Sequence, residues 1–142
     1  MEIKKLANKA LNFGLNRIIE IFGIIIAIFG FLLLISLISF SPDDPNFIFP
    51  ENTQIKNFLG FRGSFTSDLF FQSFGLIVLL IPFSLILTGV NIFLNRRILL
   101  LIESFFYTIL YSLFGSLFFS FFYSKAYFLY INGNGGFVGL YL

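Results

Sequence analysis

The chain has 142 residues, of which 58% are hydrophobic and only 11% charged, and its net charge at pH 7 is +2. A soluble domain of this length could not bury so much apolar mass in one core, so the composition indicates an integral membrane protein. The small net charge argues against a nucleic-acid-binding face, and the absence of cysteine and histidine excludes disulfides, thiolate or imidazole metal sites and Cys–His or Ser–His nucleophiles.

The first predicted element is a membrane-spanning helix over residues 21–40. These twenty residues carry no charge, and fifteen of them are Ile, Leu or Phe. At about 1.5 Å per residue the helix would be roughly 30 Å long, which matches the hydrocarbon core of a bilayer. The run is longer than the roughly 7–15-residue core of a secretory signal and lacks a cleavage site, so we expect it to stay attached.

Two further apolar stretches, residues 69–94 and 104–123, are each long enough to cross the membrane. The segment 41–68 between the first two spans is rich in proline and acidic residues and is predicted to be an exposed loop. From about residue 135 the chain becomes apolar again, which we interpret as an incomplete fourth span. The predicted fold class is all-α integral membrane: an antiparallel bundle of three transmembrane helices plus the start of a fourth.

The positions of the basic residues predict the orientation of the chain in the membrane. Lys and Arg near the ends of spans are retained on the cytoplasmic side. Six of the nine basic residues fall on one side of the predicted spans: Lys4, Lys5, Lys9, Arg17, Arg96 and Arg97. We therefore expect residues 1–17 to form a cytoplasmic basic tail and the loop 41–68 to be extracytoplasmic. Glu20 and Glu103 are expected at the cytoplasmic interface, neutralised by Arg17 and Arg96 respectively.

The third span carries a regular series of small hydroxyl residues. They recur every four residues: Ser104, Thr108, Ser112, Ser116 and Ser120. This spacing lets another helix approach closely and lets the hydroxyls bond across the interface. The alternatives are that each hydroxyl bonds back to the carbonyl four residues earlier, or that the series lines a transport path.

Other local signals predict structure and not chemistry. Pro82 removes one helical hydrogen bond, so we expect a buried bend in the second span that frees the carbonyl of Val78. Asp43 and Asp44 are expected to form a turn after the first helix and not a metal site. The glycines of residues 133–136 do not match a dinucleotide loop. We predict no catalytic, cofactor-binding or metal-ligating residues and no direct binding of nucleic acid.

Four motifs follow one another along the chain. A turn over residues 41–47 contains Pro42, Asp44 and Pro45; the entry to the second span contains Gly60, Gly63 and Asp68; Phe74, Gly75 and Pro82 lie within that span; and Gly135, Gly136 and Gly139 begin the last apolar stretch. In this order and spacing they resemble the N-terminal membrane domain of FtsK/SpoIIIE-type DNA translocases. The resemblance covers about residues 18–142.

The resemblance implies a four-span domain that anchors a cytoplasmic, RecA-like hexameric ATPase, which pumps chromosomal DNA at the division septum of a bacterium. It further implies the bacterial plasma (inner) membrane as location, the lipid bilayer, further copies of the chain and other membrane division proteins as partners, and roles in cell division and chromosome segregation. The chain contains no motor, so we expect no ATP hydrolysis by this polypeptide. The alternative function is a small transporter or channel subunit, for which the hydroxyl series with Tyr107 and Tyr111 is the candidate lining.

Overall fold

The computed structural model describes residues 2–45, 54–123, 129 and 131–142. Regular structure in these residues is entirely helical and comprises α1 (Glu2–Ile38), α2 (Gly60–Phe74), a 3₁₀ segment (Gly75–Leu80), α3 (Ile81–Asn95), α4 (Leu99–Phe122) and α5 (Gly136–Tyr141). Three segments are long and apolar enough to cross a membrane: Lys4–Ile38, Gly60–Asn95 and Leu99–Phe122. The predicted fold class is therefore confirmed.

Helix α1 is longer than one membrane crossing. Its 37 residues correspond to roughly 55 Å, compared with about 30 Å for the hydrocarbon core. The residues expected to form a separate basic tail continue the same helix, and Lys4, Lys5 and Lys9 are exposed on it. Its apolar second half alone is long enough to cross.

Helix α2 begins at Gly60, inside the segment that the sequence assigns to an exposed loop. Two serines of its first turns are buried and not solvated: the Ser64 hydroxyl donates to the Pro45 carbonyl at 2.9 Å, and the Ser67 hydroxyl donates to the Gly63 carbonyl at 2.9 Å. These polar residues form hydrogen bonds inside the protein. The sequence alone does not distinguish such buried polar residues from the polar residues of an exposed loop.

The interruption of the second span lies just before Pro82, which is in the first turn of α3. Gly75 ends α2 with φ 72° and donates its N–H to the Phe71 carbonyl. The carbonyl of Val78, expected to be free, accepts the N–H of Ile81. The 3₁₀ segment thus replaces the donor that proline lacks, and Val78 is completely buried.

The interior of the described bundle is largely polar. Ten polar or charged residues are buried, compared with six hydrophobic ones, whereas large side chains such as Ile38 (68% exposed) and Phe121 (82% exposed) cover the outside. Lipid tails are as apolar as leucine, so apolar burial does not drive helices together in a membrane, and close packing and hydrogen bonds do. An apolar exterior around a polar interior is the arrangement that a bilayer favours.

Helices α1 and α3 pack antiparallel with their backbones in contact. A Cβ atom added to Gly23 would lie 2.7 Å from the Gly89 oxygen and 2.7 Å from the Phe93 nitrogen. A Cβ atom added to Gly89 would lie 2.5 Å from the Ala27 nitrogen. These glycines had no predicted packing role, although small residues at near-helical spacing, here Gly23, Ala27 and Gly30, are typical of close helix packing.

Candidate functional site

The carboxylate of Asp44 joins the chain that leaves α1 to the chain that enters α2. Asp44 is 5% exposed. Its Oδ1 accepts the backbone N–H of Lys56 at 2.9 Å, and its Oδ2 accepts that of Asn57 at 2.9 Å. Asp43, in contrast, is exposed and pairs with the Lys56 ammonium at 3.0 Å. The two neighbouring acids therefore act separately and do not form a paired-carboxylate site.

Asn57 satisfies backbone carbonyls at the end of α1. Its Nδ2 donates to the carbonyls of Ser36 at 2.9 Å and Ser39 at 3.3 Å, and its Oδ1 accepts the N–H of Leu59 at 3.1 Å. The last carbonyls of a helix have no partner within the helix, and inside a membrane they must find one. Asn57 thus ends α1 and starts the approach to α2.

Gly63 completes this cluster because there is no room for a side chain beside Asn57. A Cβ atom on Gly63 would overlap the Asn57 Oδ1, and the Gly63 carbonyl accepts the Ser36 hydroxyl at 2.7 Å. We call the cluster the Asp44 corner; its residues are Ser36, Asp44, Asn57, Gly63, Ser64 and Ser67. Three of the predicted motif residues lie in or against it: Asp44, Pro45 and Gly63. Pro42 is exposed in the turn before it, and Gly60 begins α2 beside it.

A second cluster joins the last described segment to the break in the second span. Leu76 N–H donates to the Asn134 carbonyl at 2.9 Å. A Cβ atom on Gly75 would overlap this same carbonyl, and one on Gly136 would overlap the Gly75 nitrogen. The backbones of the two segments therefore touch, which only glycine permits at these positions.

Helix α4 forms the other side of this cluster. The Ser116 hydroxyl donates to the Phe74 carbonyl at 2.8 Å. A Cβ atom on Gly135 would lie 2.6 Å from the backbone carbonyl oxygen of Ser116, and a Cβ atom on Gly139 would overlap the same carbonyl oxygen. We call this cluster the glycine junction; its residues are Phe74, Gly75, Ser116, Ser120, Asn134, Gly135, Gly136 and Gly139. Five predicted motif residues meet here although up to 65 positions separate them in the sequence.

The hydroxyl series of α4 serves different contacts along its length. Ser104 meets the Thr88 hydroxyl of α3, whereas the Thr108 hydroxyl bonds back to the Ser104 carbonyl at 2.8 Å. Ser116 bonds across to Phe74, and Ser120 packs against glycine. Ser112 is buried, and its hydroxyl has no hydrogen-bond partner in the described part of the chain. Ser104 and Ser116 therefore contact other elements, whereas Thr108 bonds back within α4.

Two of the orientation residues, Arg17 and Arg96, form an ion cluster with Glu20 between α1 and the α3–α4 turn. Glu20 is 7% exposed, and its carboxylate pairs with Arg17 and, at 2.7 Å, with the Nε of Arg96. Arg96 ends α3 in the left-handed conformation, with φ 55°. The expected pairing of Arg96 with Glu103 is wrong, because the nearer Glu20 takes that arginine. Arg97 is exposed on the same turn.

The remaining predicted residues lie outside these clusters. Asp68 is half-buried on α2 and accepts a 3.5 Å hydrogen bond from Gln72, and Pro82 lies in the first turn of α3. Within the described residues no three acidic side chains come together. The described arrangement positions helices by buried hydrogen bonds and glycine contacts, and it presents no nucleophile beside a base.

A family model described as the 4TM region of DNA translocase FtsK/SpoIIIE matches residues 16–142. Among curated proteins, the DNA translocase FtsK of Rickettsia prowazekii (strain Madrid E) is 31% identical over 87 residues, which cover 59% of this chain and 12% of the relative. The DNA translocase FtsK of Rickettsia bellii (strain RML369-C) is 35% identical over 69 residues, which cover 49% of this chain and 9% of the relative.

The match extends over most of this chain but over a small part of its relatives. The chain spans about a tenth of the length of the curated proteins it matches. No solved structure matches it significantly. The three helices long enough to cross a membrane agree with the region to which the family model corresponds, and the chain is a multi-pass membrane protein. It belongs to the family of the four-transmembrane region of FtsK/SpoIIIE DNA translocases.

Proposed function

We propose that this chain anchors a DNA-translocating motor in the bacterial inner membrane during cell division and chromosome segregation, and that it does not itself hydrolyse ATP. The observation that carries the proposal is the family match over residues 16–142. The relatives are named DNA translocases, and the matched part is the membrane region alone. An anchor requires insertion, orientation and stable helix contacts, and needs no reactive groups.

The proposal includes an orientation and partners. The N-terminus lies in the cytoplasm, because the exposed basic residues Lys4, Lys5, Lys9 and Arg97 fall on the same side of the predicted crossings as the Glu20 ion cluster. The motor is then on the same side as the start of α1. Further copies of the chain and other membrane division proteins are the proposed partners, a proposal that rests on the family match.

The alternative of a transporter or channel subunit has less support. A pore needs polar groups that face an open path, but the Tyr111 hydroxyl lies 3.0 Å from that of Ser84, and Ser104 contacts Thr88. These bonds join α3 to α4. The polar groove between these helices has a volume of about 290 Å³ and lies on the surface of the bundle.

The location of the protein in living cells tests the proposal. A fluorescent protein fused to the N-terminus of the chain should concentrate at the division septum of a bacterium that carries a related translocase. The Gly89→Leu variant, which we expect to separate α1 from α3, should lose septal enrichment while it remains in the membrane. Uniform fluorescence of the unaltered chain around the cell envelope would contradict a septal anchor.

A further inference from the structure

An open groove between α1, α2 and α3 has one charged group at its end. The groove has a volume of about 570 Å³, within the roughly 300–1,000 Å³ typical of small-molecule sites. Its walls are mostly large apolar side chains: Phe29, Leu32, Leu33, Phe70 and Leu85. The first three belong to the uncharged run of α1, so this groove faces lipid tails when the helix crosses the membrane.

Arg62 supplies the charge at the end of the groove. It is exposed in the first turn of α2, close in sequence to Gly63, whose carbonyl accepts the Ser36 hydroxyl near the end of α1. The guanidinium has no hydrogen-bond or ion-pair partner among residues 2–45, 54–123, 129 and 131–142. Arg62 lies at the end of an apolar groove, at the depth where the long apolar run of α1 ends. This arrangement matches a phospholipid, which has apolar acyl chains and a charged headgroup.

The other polar groups that line the groove are already used. The Ser36 hydroxyl donates to Gly63, and the Thr66 hydroxyl donates to the Arg62 carbonyl at 2.7 Å. Arg62 therefore remains as the donor available to a ligand within the described lining. In addition, no side chain caps the N-terminus of α2, so the positive end of this helix adds to the attraction for an anion.

We propose that this groove binds one phospholipid with an anionic headgroup, with an acyl chain along Leu32, Leu33 and Phe70 and the phosphate on Arg62. A guanidinium binds phosphate through two parallel hydrogen bonds, which a zwitterionic headgroup weakens by its own cation. A transmembrane helix of another protein is a less suitable occupant, because a helix is about 10 Å across and packs better on a continuous helix face than in a groove of this size. The lipid would also fill the space between α1 and α2 beside the Asp44 corner.

Native mass spectrometry of the full chain in detergent tests the charge contact. Titration with dioleoyl phosphatidylglycerol should show one retained lipid, and Arg62→Gln should weaken its binding about fivefold. Arg97→Gln is the matched control, because Arg97 is an exposed arginine that does not line the groove, and it should leave the affinity unchanged. Equal binding by the Arg62 variant and the unaltered chain, or an equal loss in both variants, would overturn the proposal.

A second pair of variants tests the acyl-chain contact. Thr66→Phe fills the groove and should reduce lipid retention at least as much as Arg62→Gln, whereas Leu69→Phe, an exposed position of the same helix that does not line the groove, should not. Glycerophosphoglycerol, the headgroup without its tails, should not displace the lipid. Displacement of the lipid by this soluble phosphate would overturn the proposed acyl-chain contact, because surface charge alone would then explain binding. The same conclusion would follow if Thr66→Phe, with an unchanged circular dichroism spectrum, bound the lipid as well as the unaltered chain.

Discussion

Single glycine and asparagine residues make several of the contacts between segments of this structure. The Asn57 side chain donates to the carbonyls of Ser36 and Ser39 at the end of α1 and accepts an N–H of its own loop. Gly63, which has no side chain, leaves room for the Asn57 amide. A buried polar group without a partner costs about 1–3 kcal/mol. The motif spacing identified Gly63 as important, but its physical role depends on a neighbour six positions away that only the fold reveals.

Gly75 offers a direct test, because both its conformation and its surroundings demand glycine. Its φ of 72° with ψ −148° belongs to a region that other residues rarely adopt, and an added Cβ atom would overlap the Asn134 carbonyl. Gly75→Ala should destabilise the protein by about 3 kcal/mol or more. Thermal unfolding in detergent micelles, followed by circular dichroism, measures the change.

Gly60→Ala is the control for this measurement. Gly60 also has a positive φ, 64°, but an added Cβ atom would meet nothing within 4 Å. Its substitution should cost only the backbone term, about 1–2 kcal/mol. If the two variants unfold at the same temperature, the contact between the 3₁₀ segment and Asn134 contributes nothing to stability.

At the scale of the helices, the positions of the long apolar spans could be predicted from hydropathy. Helix ends and helix pairs that depend on tertiary contacts could not. The predicted spans 21–40, 69–94 and 104–123 overlap the three described segments that are long and apolar enough to cross a membrane, because long uncharged runs can be recognised by hydropathy. The start of α2 was not predictable, since serines buried at a helix contact have the same composition as a loop. The α1–α3 contact was also missed, because Gly23 and Gly30 appear in the sequence only as small, weakly polar interruptions.

The contact between α1 and α3 predicts a large effect from one substitution. Gly23→Leu places its side chain against the backbone of α3, with Cβ only 2.7 Å from Gly89 oxygen. Backbone atoms cannot rotate away, so the helices must separate, at a cost of about 1–3 kcal/mol or more. The distance between spin labels on cysteines introduced at Ile21 and Asn95 should increase. The chain has no cysteine of its own to interfere.

Gly14→Leu serves as the control for helix α1, because an added Cβ atom at Gly14 meets nothing within 4 Å. It adds the same side chain to the same helix and should leave the distance unchanged. An unaltered spin-label distance in Gly23→Leu would refute close contact of the two backbones.

At the scale of the whole molecule, two of the buried polar clusters lie at separate depths along α1. The Glu20 ion cluster and the Asp44 corner are connected by the stretch of α1 from Glu20 to Ser36, about 24 Å of helix. This separation is close to the thickness of a hydrocarbon core. The three described segments that are long enough to cross a membrane followed from hydropathy alone. The contact of Gly75 with residues 134–136 did not, because sequence spacing carries no signal for a contact between distant backbones.

The orientation of the whole chain is predicted to place the Glu20 cluster on the cytoplasmic side. Cysteines introduced singly at Lys9 and at Phe58, which is 81% exposed, should then react differently with a membrane-impermeant maleimide. In bacteria whose outer membrane is permeabilised, Phe58→Cys should be labelled and Lys9→Cys should be labelled only after lysis. Arg97→Cys should behave like Lys9→Cys. The reverse pattern would show that the bundle is inserted the other way round.

The two hydrogen bonds of the Asp44 carboxylate have a consequence for how this family can diverge. They hold Asp44 beside Lys56 and Asn57, so the ends of the intervening stretch are set by contacts outside it. Lengthening a closed loop costs little, about 0.6 kcal/mol for each doubling of its length. Insertions and deletions between Pro45 and Lys56 should therefore accumulate among relatives without shifting the start of α2.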